Sequence, residues 1–311
     1  MSDAAQAKSV ATGTEAAIRS RLLALPPLVR AMRPLQWSKN SLVFAALLFD
    51  RHVFEFGPLW HCLAAALVFC GVSSAIYLVN DVRDIEQDRL HPRKRLRPIA
   101  SGEVGVGQAM RIAGVLMITS LIVATAVRLE FALVIVAYIA LMLAYSYGLK
   151  RLVILDVFAI ASGFVLRAAG GAVAITVPIS PWLYVCTALG ALFIGFGKRR
   201  NELVTLDALA GQHRANLEEY SLPMLDQIIG IVSAAMLISY SLYTFDAGNV
   251  PDSRAMMLTI PFVAYGLFRY LYLIYRRGEG GSPELLLIKD PGLITCIIGW
   301  VAASLAILYL A

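Results

Sequence analysis

Apolar residues in this chain fall into blocks near 20 residues long, separated by short polar or charged stretches. A block of that length spans the hydrocarbon core of a bilayer as an α-helix. Nine spans are predicted, at about 36–50, 59–82, 107–127, 130–149, 153–175, 180–197, 226–245, 255–275 and 290–310. The first is short, and Arg33-Pro34 with Trp37 marks an interfacial entry to it. Residues 1–30 mix Ala, Ser, Thr and charges without a continuous apolar core, so they are expected as a flexible cytoplasmic tail and not as a signal peptide. The remainder, 31–311, is expected as one transmembrane domain. The fold class is therefore an all-α polytopic membrane protein, a bundle of about nine helices around a polar cavity that faces the cytoplasm.

Composition agrees. The 311 residues are 59% hydrophobic and 15% charged, where a soluble domain carries nearer a quarter charged. The net charge of +6 does not point to nucleic acid, because the cations sit in loops between spans. Of the 27 Lys and Arg, 22 fall on the side of the N-terminus, and only Arg51, Arg128 and Arg254 on the other. Under the positive-inside rule this places the N-terminus in the cytoplasm and the protein, multi-pass, in the cell membrane. Cys62, Cys70, Cys186 and Cys296 lie in or beside apolar blocks, at no zinc or disulfide spacing, and read as small packers. The four histidines are scattered and form no metal set.

The chemistry gathers where the second span ends, at YLVNDVRDIEQDRLHPRKRLRPIASG (77–102). Asn80, Asp84 and Asp88 step around a helix by only about 40° each, and Asp81 lies about 20° past Asp88. Four oxygen-bearing side chains thus share one face. Such a row suits Mg²⁺, which takes one or two carboxylates, keeps waters and bridges to substrate phosphates. Arg89, Arg93, Lys94, Arg95 and Arg97 follow at once and suit the phosphate oxygens that a metal does not reach. The same pattern is also what a solvated helix end with a topology signal would look like.

Other polar groups lie at the same ends of other spans. Tyr145, Tyr147, Lys150 and Arg151 close the fourth, and Asp156 opens the fifth. Asp156, Gly163, Arg167 and Gly170 share a helical face. An Arg that deep in a span is costly against lipid. Two readings stand: a structural Arg–Asp pair between helices, or a cation on the wall of a polar cavity. Lys198 and Arg199 follow Gly195 and Gly197, which permit close approach, and Gln36, Lys39 and Asn40 begin the first span. Arg269 sits near a span end, where its stem can snorkel.

With NDVRDIEQD (80–88), RPIASG (97–102) and YSYGLKR (145–151) in hand, the chain resembles the UbiA superfamily of intramembrane transferases from about Arg33 onward. RPLQWSKN (33–40), HPRKRLRPIASG (91–102), LDVFAIASGFVLRAAGG (155–171), GKRRNEL (197–203) and HRANLEEY (213–220) are most similar to its branch acting on phosphoribosyl donors. The aromatic prenyltransferase branch carries a second Asp-rich motif on a later loop; here Asp207, Glu218 and Glu219 lack that spacing.

The resemblance implies transfer of 5-phosphoribosyl from phosphoribosyl pyrophosphate to a polyprenyl (decaprenyl) phosphate, with Mg²⁺ as cofactor. It implies Asn80, Asp84 and Asp88 as metal ligands, and Asp84, Asp88 and Asp156 as catalytic residues. Gln36, Lys39, Asp81, Arg95, Tyr147, Lys150, Arg167, Lys198 and Arg199 would bind substrate. The expected partners are the two substrates and the membrane; homo-oligomer formation is left open, and nucleic acid is excluded. One rival is a transferase that moves a prenyl group from its diphosphate to a small acceptor. Another is a transporter, disfavoured because no chain of ionisable groups crosses the membrane.

Overall fold

The computed structural model describes residues 24–91, 94–178, 180–207, 217, 219–246 and 253–310. Eight of its helices are long and apolar enough to cross a bilayer. In chain order the α-helices are α1 (Pro27–Ala31), α2 (Ala45–Phe49), α3 (Phe56–Arg83), α4 (Ile85–Leu90), α5 (Val106–Val127) and α6 (Leu129–Tyr147). They continue with α7 (Leu155–Ala174), α8 (Pro181–Asp207), α9 (Leu222–Asp246), α10 (Ile260–Arg277), α11 (Pro283–Lys289) and α12 (Pro291–Leu310). The spanning helices are α3, α5 to α10 and α12, with α10 extended at its start by the 3₁₀ turn Ala255–Thr259.

The predicted span at 36–50 takes a different form. It is a 3₁₀ helix, Pro34–Phe44, followed by the single turn of α2. Pro34 and the polar run Gln36, Ser38, Lys39, Asn40 and Ser41 leave too little apolar length for a regular membrane helix. The tail predicted at 1–30 lies outside the described residues up to 23. Its last part is ordered: Pro27 opens α1 at the position where its missing N–H costs nothing, and Ala31 is buried.

The chain forms two compact units. One contains the chain before Lys39 together with Cys70–Ile122. Its core is built from Ala31, Ala75, Leu78, Ile99, Val104, Ala109 and Ala113. Four of the seven are alanines, which let helices that have no hydrophobic drive between them gain by close backbone approach. On the other face of α5, Val115 and Ile118 are exposed, as lipid contact requires.

The second unit contains Lys39–Phe69 and the chain from Val123 onward. Val157 and Ala161 of α7 pack with Phe193 and Phe196 of α8, Leu225 and Ile229 of α9, and Leu273 of α10. A second cluster joins Ala46, Leu47, Cys62, Ala172 and Ile175. Here α7 meets the 3₁₀ segment. A methyl group on Gly171 would overlap the carbonyl of Val43, with its carbonyl carbon at 2.8 Å and its Cα at 3.0 Å. Both sides are backbone, so neither can turn aside. Gly171→Ala is expected to cost about 2–3 kcal/mol, the upper range for overpacking. Gly114→Ala, with nothing within 4 Å, should leave the melting temperature unchanged or slightly raised. Thermal unfolding of the two purified variants checks the contrast.

Near its span end Arg269 has a carboxylate partner. It grips Asp290 through both ends of its fork, Nε to Oδ1 at 3.1 Å and Nη2 to Oδ2 at 2.8 Å. Asp290 in turn accepts the Leu293 amide at 2.9 Å and caps α12. The four cysteines are free, with Cys62 and Cys296 buried, in keeping with a packing role.

Candidate active site

The acidic row forms where α3 stops. Arg83 is the last residue of α3, and Asp84 stands at the break with φ −89° and ψ 10°. The helical hydrogen bonds carry through: the Asp84 amide donates to the Asn80 carbonyl at 2.9 Å, and the Asp88 amide to the Asp84 carbonyl at 2.8 Å. Asn80, Asp84 and Asp88 are therefore stacked one turn apart, in the order that the sequence periodicity predicts.

Their surroundings differ. Asp88 and Asp81 are buried, at 2% and 3% exposure, while the Asp84 side chain is 29% exposed, with Arg83 Nε at 3.9 Å. Arg97 Nη1 donates to Asp88 Oδ2 at 2.6 Å and to Asp81 Oδ1 at 3.2 Å. Arg33 donates to the same Asp81 oxygen and stacks on the Tyr77 ring at 4.8 Å. Two buried carboxylates are thus held by two guanidinium groups, the condition under which burial of charge is tolerated.

The RPIASG element explains how Arg97 gets there. Ile99 and Ala100 are buried, the Ser101 amide donates to the Arg97 carbonyl at 2.8 Å, and Gly102 takes φ +85°, which favours glycine. The Val104 amide closes the turn on the Pro98 carbonyl at 2.9 Å. Arg89 reaches the Ala100 carbonyl at 3.2 Å. The turn therefore presents Arg97 to the end of α3. Arg95, two residues earlier on the 3₁₀ turn Lys94–Leu96, is exposed. Gln36 is half-buried on the 3₁₀ segment. Arg93 lies outside the described residues.

The second unit holds a separate polar cluster at the start of α7. Asp156 is fully buried. Arg199 Nε donates to its Oδ2 at 2.7 Å, and the Tyr220 hydroxyl donates to its Oδ1 at 2.9 Å. Arg199 also donates to Glu202, one turn further along α8. The Ile154 amide donates to the Tyr220 oxygen at 2.6 Å. Ile154 has φ +68°, strained for a β-branched residue, and the bond to Tyr220 helps hold it there. Burial pushes the Tyr220 phenol well above its usual range, so it stays protonated as donor to Asp156. The Arg–Asp pair expected as one alternative does form, with Arg199 in place of Arg167.

Arg167 lies about 16 Å further along α7 by helical rise. It is buried, and among the described residues its acceptors are neutral: Asn40 Oδ1, the Gly163 carbonyl and the Tyr138 hydroxyl, each at 2.7 Å. Tyr138 and Phe164 present ring faces to it at 4.7 and 5.5 Å. Hydrogen bonds and ring quadrupoles thus stabilise this cation where a lipid-facing position could not. Lys39 Nζ stands 6.0 Å from the Phe164 ring. Lys198 and Lys150 are half-buried and Tyr147 is exposed.

Several partners found here were absent from the predicted set: Arg97, Arg33, Asn40, Tyr138, Glu202 and Tyr220. Arg97 had a signal, lying in the basic run. Tyr220 had none beyond its place in HRANLEEY, most of which lies outside the described residues.

Among the described residues no three His, Cys, Asp or Glu side chains form a ready metal cage. The donor chemistry still suits a hard cation: Asn80, Asp84 and Asp88 offer oxygens only, one turn apart, and Asp84 is open to solvent. Such a set has too few carboxylates for a closed cage, and phosphate oxygens would complete it.

Comparison with known proteins bears on this arrangement. The profile of the UbiA prenyltransferase family matches residues 41–287. The chain is 35% identical over 295 residues to the decaprenyl-phosphate phosphoribosyltransferase of Mycolicibacterium smegmatis, covering 91% of this chain and 92% of that protein. It is 36% identical over 278 residues to the enzyme of the same name from Mycobacterium tuberculosis, covering 88% and 91%. Among solved structures, a UbiA homolog from Archaeoglobus fulgidus bound to GPP and Mg²⁺ superposes with a TM-score of 0.69 at 20% identity, over 91% of this chain and 99% of that one.

Proposed function

This chain belongs to the UbiA prenyltransferase family, and from that premise we propose that it transfers 5-phosphoribosyl from phosphoribosyl pyrophosphate to decaprenyl phosphate. The similarity to two phosphoribosyltransferases along nearly the whole chain supports the choice of donor and acceptor. The observation that carries the chemistry is the row of Asn80, Asp84 and Asp88, one turn apart at a helix end with Arg97 beside it.

In the proposed reaction an oxygen of the lipid phosphate attacks C1 of the ribose. The C1–O bond to pyrophosphate breaks, and pyrophosphate leaves with both electrons. The acceptor is already an anion, so no general base is needed, and the scattered histidines are consistent with that. The charge that must be stabilised develops on the leaving group. Asn80, Asp84 and Asp88 would hold Mg²⁺, which when bound supplies charge neutralisation for the departing diphosphate. Arg97 and the exposed Arg95 offer planar forks for its remaining oxygens.

Asp156 was expected among the catalytic residues. Both of its oxygens are occupied, so its proposed role is to fix the direction of Arg199. Lys39, Tyr147, Lys150 and Lys198 stay as proposed contacts for phosphate or ribose. The three neutral acceptors around Arg167 suit a fixed structural cation better than one that follows a substrate. The Lys and Arg asymmetry supports a cell-membrane protein with the acidic row on the cytoplasmic side.

The test is an incubation of the purified chain in lipid with labelled phosphoribosyl pyrophosphate and decaprenyl phosphate. Label should enter the lipid fraction. No labelled lipid, with consumption of a prenyl diphosphate in a parallel tube, would favour the rival transferase.

A further inference from the structure

Arg33, Asp81, Arg97 and Asp88 form a closed quartet, with Asp81 shared by both guanidiniums and Asp88 held by Arg97. Its formal charge is zero. The two carboxylate side chains are 3–4% exposed, while both arginine side chains are 30% exposed. The acids are therefore sealed in, and the cations border solvent.

We propose that Arg97 makes divalent-metal binding at the acidic row conditional on an anionic diphosphate. This rests on the reading of Asn80, Asp84 and Asp88 given above and deepens it with an order of events. Without donor, the Arg97 guanidinium holds Asp88 Oδ2, one of the two oxygens that Asp88 could offer a metal. A bare divalent ion arriving there meets a neutral, poorly solvated quartet and the positive charge of Arg97 a few ångströms away, where screening is weak. Displacing Arg97 would also strip two charge-assisted hydrogen bonds from buried acids.

A diphosphate changes both terms. It brings negative charge along with the metal, so the assembly returns toward neutrality. It also gives Arg97 a new acceptor, since the guanidinium fork matches phosphate oxygens. Arg97 can turn because its side chain borders solvent, while its backbone is held by the Ser101 amide and by buried Ile99. Coupling of this kind is reciprocal: the metal tightens the donor by the factor with which the donor tightens the metal.

The experiment is equilibrium dialysis of radioactive Mn²⁺ against the full chain in nanodiscs, with and without inorganic pyrophosphate, and counts protein-bound metal. The wild-type chain should bind Mn²⁺ at least about tenfold more weakly alone than with pyrophosphate, within the usual span of two-site coupling. Arg97→Gln should bind Mn²⁺ alone at least about tenfold more tightly than wild type, because the quartet loses a positive charge and becomes net negative. Arg97→Lys, which keeps the charge, should behave as wild type.

Equal Mn²⁺ affinity with and without pyrophosphate in the wild-type chain would overturn the proposal, and that measurement needs no variant to fold. Equal affinity of Arg97→Gln and wild type for Mn²⁺ alone would overturn it too. Unconditional Mn²⁺ binding that Asp84→Asn removes would sink this inference and leave the metal assignment itself standing.

Discussion

Asp84→Asn is expected to lower turnover by about 10²–10³-fold, the range seen when a group that stabilises developing charge is lost, while the protein stays folded. The substitution keeps size and shape and removes only the charge. Asp84 is the acid of the row most open to solvent, its side chain 29% exposed, so water screens its charge and little folding energy depends on it. A matched change at Asp88 is a poorer probe, because it would strip Arg97 of its 2.6 Å partner and mix stability with chemistry. The measurement is lipid-product formation at saturating substrates, beside the elution profile and melting temperature of the same preparation. Full activity in a folded Asp84→Asn protein would remove the metal assignment.

Asp156→Ala should produce the largest loss of stability, about 3–5 kcal/mol, as expected when one partner of a buried ion pair is removed. Arg199 is only 3% exposed and would keep Glu202 alone. The Tyr220 hydroxyl would lose its acceptor, and with it the grip on Ile154 at its positive φ would loosen. The double change Asp156→Leu with Arg199→Met should recover much of the loss, because an apolar pair of similar volume need not be desolvated as ions. Thermal unfolding of the single and double variants reads this directly. A single variant as stable as wild type would mean that the pair is not the buried anchor described here.

What the sequence made legible follows from the range of each interaction. The long helices were readable because a 20-residue apolar block and its charged ends are local features. The stacking of Asn80, Asp84 and Asp88 was readable because helical phase is local too, and it survives the break at Asp84. The 3₁₀ segment at Pro34–Phe44 was hidden, because hydropathy counts apolar residues and says little about how tightly a short polar stretch winds.

Partner identity was the part out of reach. Arg167 meets Asn40 across 127 residues, and Asp156 meets Tyr220 across 64. A sequence shows that a buried Arg or Asp needs a partner and does not say which of several candidates packing delivers. Hence the Arg–Asp pair was foreseen in kind and found with a different arginine. Arg269 shows the same limit: its Asp290 is 21 residues away, beyond the end of its own helix.

The most direct measurement of the central claim is mass spectrometry of the lipid after incubation with phosphoribosyl pyrophosphate and decaprenyl phosphate, with released pyrophosphate counted in the same tube. The account predicts one added phosphoribosyl group per lipid, one pyrophosphate released for each, and loss of both when divalent cations are chelated. An unchanged lipid, or transfer that continues at full rate in excess chelator, would contradict it.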